Sequence, residues 1–124
     1  MVIGLGIDMI EVERIAEKIG KDGGFRELIF SNNEIAYCEQ KKNKFEHYAA
    51  RFAAKEALFK ALGTGWQEGT SFSEVEVTNT ENGKPQLSFS GNTANIINAM
   101  QLSNILVSLT HLKSVASAVV IIEK

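Results

Sequence analysis

Cysteine is nearly absent from this sequence of 124 residues: Cys38 stands alone, which excludes an internal disulfide and any cysteine-based metal site. Its expected role is that of a small half-buried hydrophobe rather than a nucleophile. Also missing is an uninterrupted apolar run near the ~18 residues that a membrane span requires. The N-terminus has no basic region followed by a signal-like apolar segment, so a cytoplasmic protein is expected. A basic excess is lacking too, and a formal charge of −2 argues against a dedicated nucleic-acid binder. With no internal repeat, low-complexity tract or linker, residues 1–124 read as a single domain. Its 44% hydrophobic content suffices for a core, in a chain small enough that burial of apolar surface against copies of itself is open to it.

What is present is concentrated in residues 51–65, Arg-Phe-Ala-Ala-Lys-Glu-Ala-Leu-Phe-Lys-Ala-Leu-Gly-Thr-Gly. At ~100° per residue, Ala50, Ala54, Ala57, Leu58 and Ala61 fall into one apolar stripe, while Phe52, Glu56 and Lys60 share another side. A helix apolar on more than one side is expected to be central, which would shelter Glu56 and Lys60 from bulk water. Ionised groups so placed need a partner, a metal or a ligand. The same two residues also read as an ordinary i, i+4 pair on a wet face. Gly63 suits a left-handed C′ position and Gly65 a close backbone approach to a ligand, although both also fit a plain cap and turn.

Around this stretch, residues 2–8 alternate as a short strand, with Ile3, Leu5 and Ile7 expected on the core face and Gly4, Gly6 and Asp8 on the other. The two glycines leave room for a helix or ligand to lie close to Asp8. Residues 10–19 turn helical, and residues 25–30 form a short apolar and charged segment. Ser31 or Asn32 then caps a helix to about Glu39, with Glu34 in its first turn. A polar connection over 41–44 precedes the central helix, expected from Phe45 or Glu46 to Leu62. Beyond the glycines, residues 72–78 and 84–89 are predicted strands joined by an Asn82-Gly83 hairpin turn, with Pro85 near the start of the second. A helix over 94–101, capped by Gly91-Asn92-Thr93, and strands over 105–110 and 115–122 complete the chain. Helices gather in the first half and hairpins in the second, which favours an α+β fold, an antiparallel sheet with a long central helix, over a parallel doubly wound one.

Asp8 at a strand end and Glu56 on an apolar helix are the two carboxylates with unusual surroundings. Mg²⁺ commonly takes only one or two carboxylates from protein and completes its shell with water and phosphate oxygens, so such a pair fits phosphoryl chemistry. Lys60, one turn beyond Glu56, is placed to neutralise charge on the same phosphate. Ser108, His111 and Asp8 supply the residue types of a hydrolase triad, but no G-x-S-x-G elbow accompanies them. His111 also suits a phosphate donor or a strand cap, while His47 has no partner nearby in sequence. The lysines at 41, 42 and 44, and Arg14, Lys18, Lys21 and Arg26 before them, suit an acidic partner or phosphates, or a solvated surface.

Four blocks, GIDMIEVER (6–14), RFAAKEALFKALGTG (51–65), NGKP (82–85) and SLTH with its closing strand (108–123), resemble in order and spacing the holo-acyl-carrier-protein synthases, the small bacterial 4′-phosphopantetheinyl transferases. The resemblance implies transfer of the 4′-phosphopantetheine arm of coenzyme A to a serine of apo acyl carrier protein, with release of adenosine 3′,5′-bisphosphate. It carries the Mg²⁺ positions onto Asp8 and Glu56 and a coenzyme A phosphate contact onto Lys60. Arg51 and His111 match positions associated with the 3′-phosphate, and Gly63, Thr64, Gly65, Asn82, Gly83, Lys84 and Pro85 match segments around the adenosine. Such proteins are typically homotrimers with sites between subunits, which would combine Asp8 and Glu56 of one chain with His111 of the next. Docking of the acidic carrier falls on Arg14 and Arg26, with apolar contact from Phe25 and Ile29. Leu28 departs from a position often basic in the family, and Trp66-Gln67-Glu68 from the usual smaller or basic residues. A coenzyme A pyrophosphatase and a non-catalytic coenzyme A or carrier-protein binding module are the alternative readings.

Overall fold

Alanine dominates residues 49–57, and in the computed structural model of the chain, which describes residues 1–63 and 71–124, that run is the buried middle of the longest helix. The elements run β1 (Val2–Glu11), α1 (Val12–Gly20), α2 (Phe25–Ile29), α3 (Asn32–Glu39), α4 (Lys44–Ala61), a 3-10 turn (Phe72–Glu74), β2 (Val75–Asn79), β3 (Pro85–Phe89), α5 (Gly91–Ala99), β4 (Asn104–His111) and β5 (Val115–Glu123). Three antiparallel strands in the order β1-β5-β4 form one sheet, and β2 and β3 form a separate hairpin. The architecture is the expected α+β. Small side chains at Ala49, Ala53, Ala54 and Ala57 let α4 lie close to the sheet while α1, α3 and β2 pack on its other sides. No helix among the described residues is long and apolar enough to cross a membrane.

The contact between β1 and α4 is backbone against backbone. A Cβ on Gly6 would collide with the carbonyl oxygen of Ala57, and one on Gly4 with that of Ala61. The glycine face is therefore the packing face, a correction to the expectation that Ile3, Leu5 and Ile7 point into the core. Those residues and Met9 are exposed, Leu5 by 66% and Met9 by 67%. Alternation separates the two faces of a strand without saying which one meets the core. Leu5 lies across from Ile121 and Ile7 from Val119, and Ile121 in turn pairs with Leu106, so one apolar surface crosses the outer side of all three strands.

Element ends differ from expectation where tertiary partners act. β1 continues to Glu11 because β5 pairs with it as far as Val115, which puts Ile10 on the inner face opposite Ala116. Residues 72–74 turn rather than extend, since the Ser71 hydroxyl accepts from Ser73 N and the Lys55 ammonium donates to the carbonyls of Phe72 and Val75. α5 begins at Gly91 because the Glu74 carboxylate caps it from a distance, accepting from Asn92 N, Thr93 N and Thr93 Oγ1. The α3 cap follows the sequence: Ser31 and Glu34 make a reciprocal capping box.

Candidate active site

Register places Asp8 on the inner face of β1, two residues past Gly6 and opposite Ala118, so the close glycine packing sets its carboxylate against α4. Lys60 Nζ donates to Asp8 Oδ1 at 3.0 Å and to the Ile7 carbonyl at 3.1 Å, and Ser117 Oγ donates to the Asp8 carbonyl at 3.0 Å. Glu56, one turn earlier on α4, is half-buried. Its carboxyl is held above the ordinary range first by burial and then by the charge of Asp8, with Lys60 and Lys18 opposing. Asp8, Glu56 and Lys60 thus converge.

The shelter expected for Lys60 is absent, for its side chain is 53% exposed against 16% for that of Asp8. Among the described residues the charged side chains sealed in the core are instead Glu34, Lys55 and Arg51. Among the described residues no group of three or more His, Cys, Asp or Glu side chains stands ready to enclose a metal. Two half-sheltered carboxylates beside one exposed ammonium match the donor set of an ion that takes its other ligands from water and substrate.

A second cluster forms around the N-terminal half of α4. His111 Nδ1 lies 2.8 Å from Glu46 Oε1, and because a carboxylate only accepts, Nδ1 carries the donated hydrogen. The His47 ring meets that of His111 edge-on at 5.0 Å and that of Tyr37 at 5.9 Å, a constellation that no local pattern announces. Burial first, then the electrostatic influence of His111, Arg51 and Lys41, pulls His47 below its usual value. The Arg51 guanidinium sits 4.1 Å from the centre of the Tyr37 ring, and its Nη2 donates to Asn79 Oδ1 at 3.0 Å. Glu46 precedes Glu56 by ten residues, about 15 Å along the helix. His111 is therefore remote from the Asp8 and Glu56 of its own chain.

Gly63 ends α4 with φ 80° and is exposed, whereas Thr64, Gly65 and the segment 66–68 lie outside the described residues. In the hairpin Gly83 takes φ 83°, Asn82 and Lys84 are exposed, and Pro85 opens β3 opposite Asn79. Of the residues assigned to docking, Arg14 is exposed on α1. Phe25 packs against Phe30 and Phe52, and Arg26 is engaged by Glu27 at 2.9 Å and Glu39 at 3.3 Å. Ile29 corrects its assignment: it is buried beneath α2, and the apolar side chain presented there is Leu28, 67% exposed.

Comparison with known proteins matches residues 4–118 to the sequence model of the 4′-phosphopantetheinyl transferase superfamily. The chain belongs to that superfamily. It is 46% identical over 124 residues to the holo-[acyl-carrier-protein] synthase of Solibacter usitatus, covering 99% of each chain. A crystal structure of the holo-[acyl-carrier-protein] synthase of Neisseria meningitidis superposes with a TM-score of 0.91 at 29% identity, covering 100% of both chains. That of the Bacillus anthracis synthase, in complex with CoA (3′,5′-ADP), superposes with a TM-score of 0.83 at 36% identity, covering 100% of this chain and 98% of the other. As a transferase domain, the fold has the glycine-bearing first strand and the long helix as the two rails between which Asp8, Glu56 and Lys60 meet.

Proposed function

We propose that this protein is a holo-acyl-carrier-protein synthase, transferring 4′-phosphopantetheine from coenzyme A to a serine of apo acyl carrier protein. The observation that carries the reading is the meeting of Asp8, Glu56 and Lys60 in a chain that matches named synthases from end to end. Asp8 and Glu56 are the residues that would hold Mg²⁺, which when bound supplies a Lewis acid that offsets charge on the pyrophosphate. Lys60, paired in the free protein with Asp8, turns to the phosphate and neutralises part of its charge. The carrier serine oxygen attacks the phosphorus that bears the pantetheine arm, in line with the departing adenosine 3′,5′-bisphosphate. One serine–phosphate bond forms as one pyrophosphate bond breaks. The serine proton passes to Glu56 or to water, the two acceptors on offer.

Homotrimers with shared sites are part of the same proposal. The apolar outer face of the sheet supports assembly, since Ile3, Leu5, Ile7, Met9 and Leu106 form a contiguous exposed surface unusual for a monomer. The separation of His111 from Asp8 supports a site completed by a neighbour. Arg14 and Leu28 on the exposed sides of α1 and α2 are the residues proposed to meet the acidic carrier, by charge and by apolar contact. A cytoplasmic location and a role in lipid synthesis go with these substrates.

The test is mass spectrometry of an apo acyl carrier protein incubated with the protein, coenzyme A and Mg²⁺. A gain of one phosphopantetheine (~340 Da) that a chelator abolishes is the expected result, and Asp8→Ala should remove it while the circular dichroism spectrum is unchanged. Consumption of coenzyme A without any carrier would instead favour the pyrophosphatase. Near-normal transfer by the Asp8→Ala variant at saturating Mg²⁺ would remove the metal assignment.

A further inference from the structure

Arg51 is 3% exposed, and a guanidinium so far from water ordinarily sits against a carboxylate. Here none of the described carboxylates forms an ion pair with it. Its partners among the described residues are neutral: the face of Tyr37 and the side-chain oxygen of Asn79, while its Nε has no acceptor. The Lys41 ammonium, 4.7 Å from the centre of the same Tyr37 ring, has the arginine's own sign. A buried cation held by neutral groups is a receptor whose anion comes from outside.

Asn79 does more than accept that hydrogen bond. It is the last residue of β2, and its Nδ2 donates to the Gly83 carbonyl at 3.0 Å, inside the turn that also carries Asn82 and Lys84. Both ends of one amide are therefore used, the oxygen by the arginine and the nitrogen by the turn. A flipped amide would set NH₂ against guanidinium N–H groups and oxygen against a carbonyl, so only one orientation satisfies both neighbours. We infer that Asn79 is a positioning residue that locks Arg51 and the 80–84 turn into one rigid receptor for the 3′-phosphate of coenzyme A.

This inference rests on the proposed transferase reading, and the substrate's chemistry decides which phosphate is meant. Coenzyme A carries two separate phosphate centres, a pyrophosphate and a 3′-monoester. The pyrophosphate is the reacting group and belongs with Asp8, Glu56 and Lys60. Arg51 lies five residues before Glu56 and about 140° around α4 from it, so it faces a different anion. An amide at position 79 keeps the arginine's charge available, whereas a carboxylate there would neutralise it.

The experiment compares coenzyme A with 3′-dephospho-coenzyme A as donors to the carrier, in the full protein with Mg²⁺, for wild type, Asn79→Asp and Asn79→Ala. The reacting pyrophosphate is the same in both donors, and the leaving group from the second is adenosine 5′-monophosphate. Asn79→Asp preserves size and gives Arg51 an internal counter-ion. KM for coenzyme A is expected to rise about tenfold, with KM for the dephospho form and kcat for both nearly unchanged. Asn79→Ala, which frees the turn without adding charge, should raise KM for coenzyme A by less, again sparing the dephospho form. A merely structural role predicts equal losses with both donors, and that result, or an unchanged ratio in Asn79→Asp, overturns the inference. Wild type that uses both donors equally would also overturn it while leaving the transferase reading intact. Failure of wild type to use either donor would remove that reading, and this inference with it.

Discussion

Replacing Lys55 with methionine is the most informative single change to the core. The Lys55 ammonium donates to Glu34 Oε1 at 2.7 Å and to the carbonyls of Ile29 and Phe72 at 3.0 Å each, with Val75 O as a fourth acceptor. Glu34 in turn accepts from Ser31 N and Val77 N, each at 2.9 Å, and neither charged side chain has any exposure. Methionine matches the volume and retains the packing, so the loss is that of the ammonium alone. It leaves an uncompensated buried carboxylate and three carbonyls without their donor, for which about 3–5 kcal/mol is expected. Against a typical total stability of about 5–15 kcal/mol, that is a large share. Urea unfolding at one fixed protomer concentration is the assay. With a slope of about 2 kcal/mol/M, the midpoint should fall by about 2 M. Adding Glu34→Gln to the variant removes the stranded charge and should recover part of the loss. A loss below about 1 kcal/mol, or no recovery in the double variant, would refute the reasoning, because both require that water reach the pair.

Gly6→Ala should lower stability by about 2–3 kcal/mol through the clash with the Ala57 carbonyl, whereas Gly20→Ala, with nothing near its Cβ, should be harmless. Thermal melts of the two variants check this. Ile7→Asp puts a charge in the exposed apolar sheet face, and light scattering after gel filtration should then find the 13.6 kDa single chain where wild type elutes larger. His47 has a folded pKa below its unfolded value, so the folded state binds fewer protons and loses stability as pH falls through the unfolded value of about 6.5. His47→Phe should flatten the melting temperature between pH 5 and 7.5, and an unchanged slope would count against that placement.

The acidic half of the site was legible because its signals are local. Two glycines in alternation announce a close approach, and an i, i+4 Glu-Lys pair on an alanine-rich helix announces where it occurs. Which face of β1 would be covered was not legible, since Ile3, Leu5 and Ile7 look like core residues and are exposed in the single chain. Glu34 shows the same limit: its place in the capping box could be read from Ser31 three residues earlier, but its bond to Lys55 joins positions 21 residues apart. Asn79 and Tyr37 carry no motif at all. Their meaning comes from Arg51, which reaches them only through the packing of β2 and α3 on α4.

Four of the six charged residues on α4 divide its circumference between two tasks. Taking Arg51 as the origin, Lys55 lies about 40° around the helix, Glu56 about 140° and Lys60 about 180°. Arg51 and Lys55 therefore face α3 and β2, where their partners are Asn79, Tyr37 and Glu34. Glu56 and Lys60 face β1 and Asp8. A rigid helix keeps the two sets on different sides, which favours the proposed reading in which one substrate draws them from two copies of the chain. The exposed apolar face of the sheet supplies a reason for two copies to meet. Its first strand carries Asp8 on the opposite side, so association there would leave the carboxylate free.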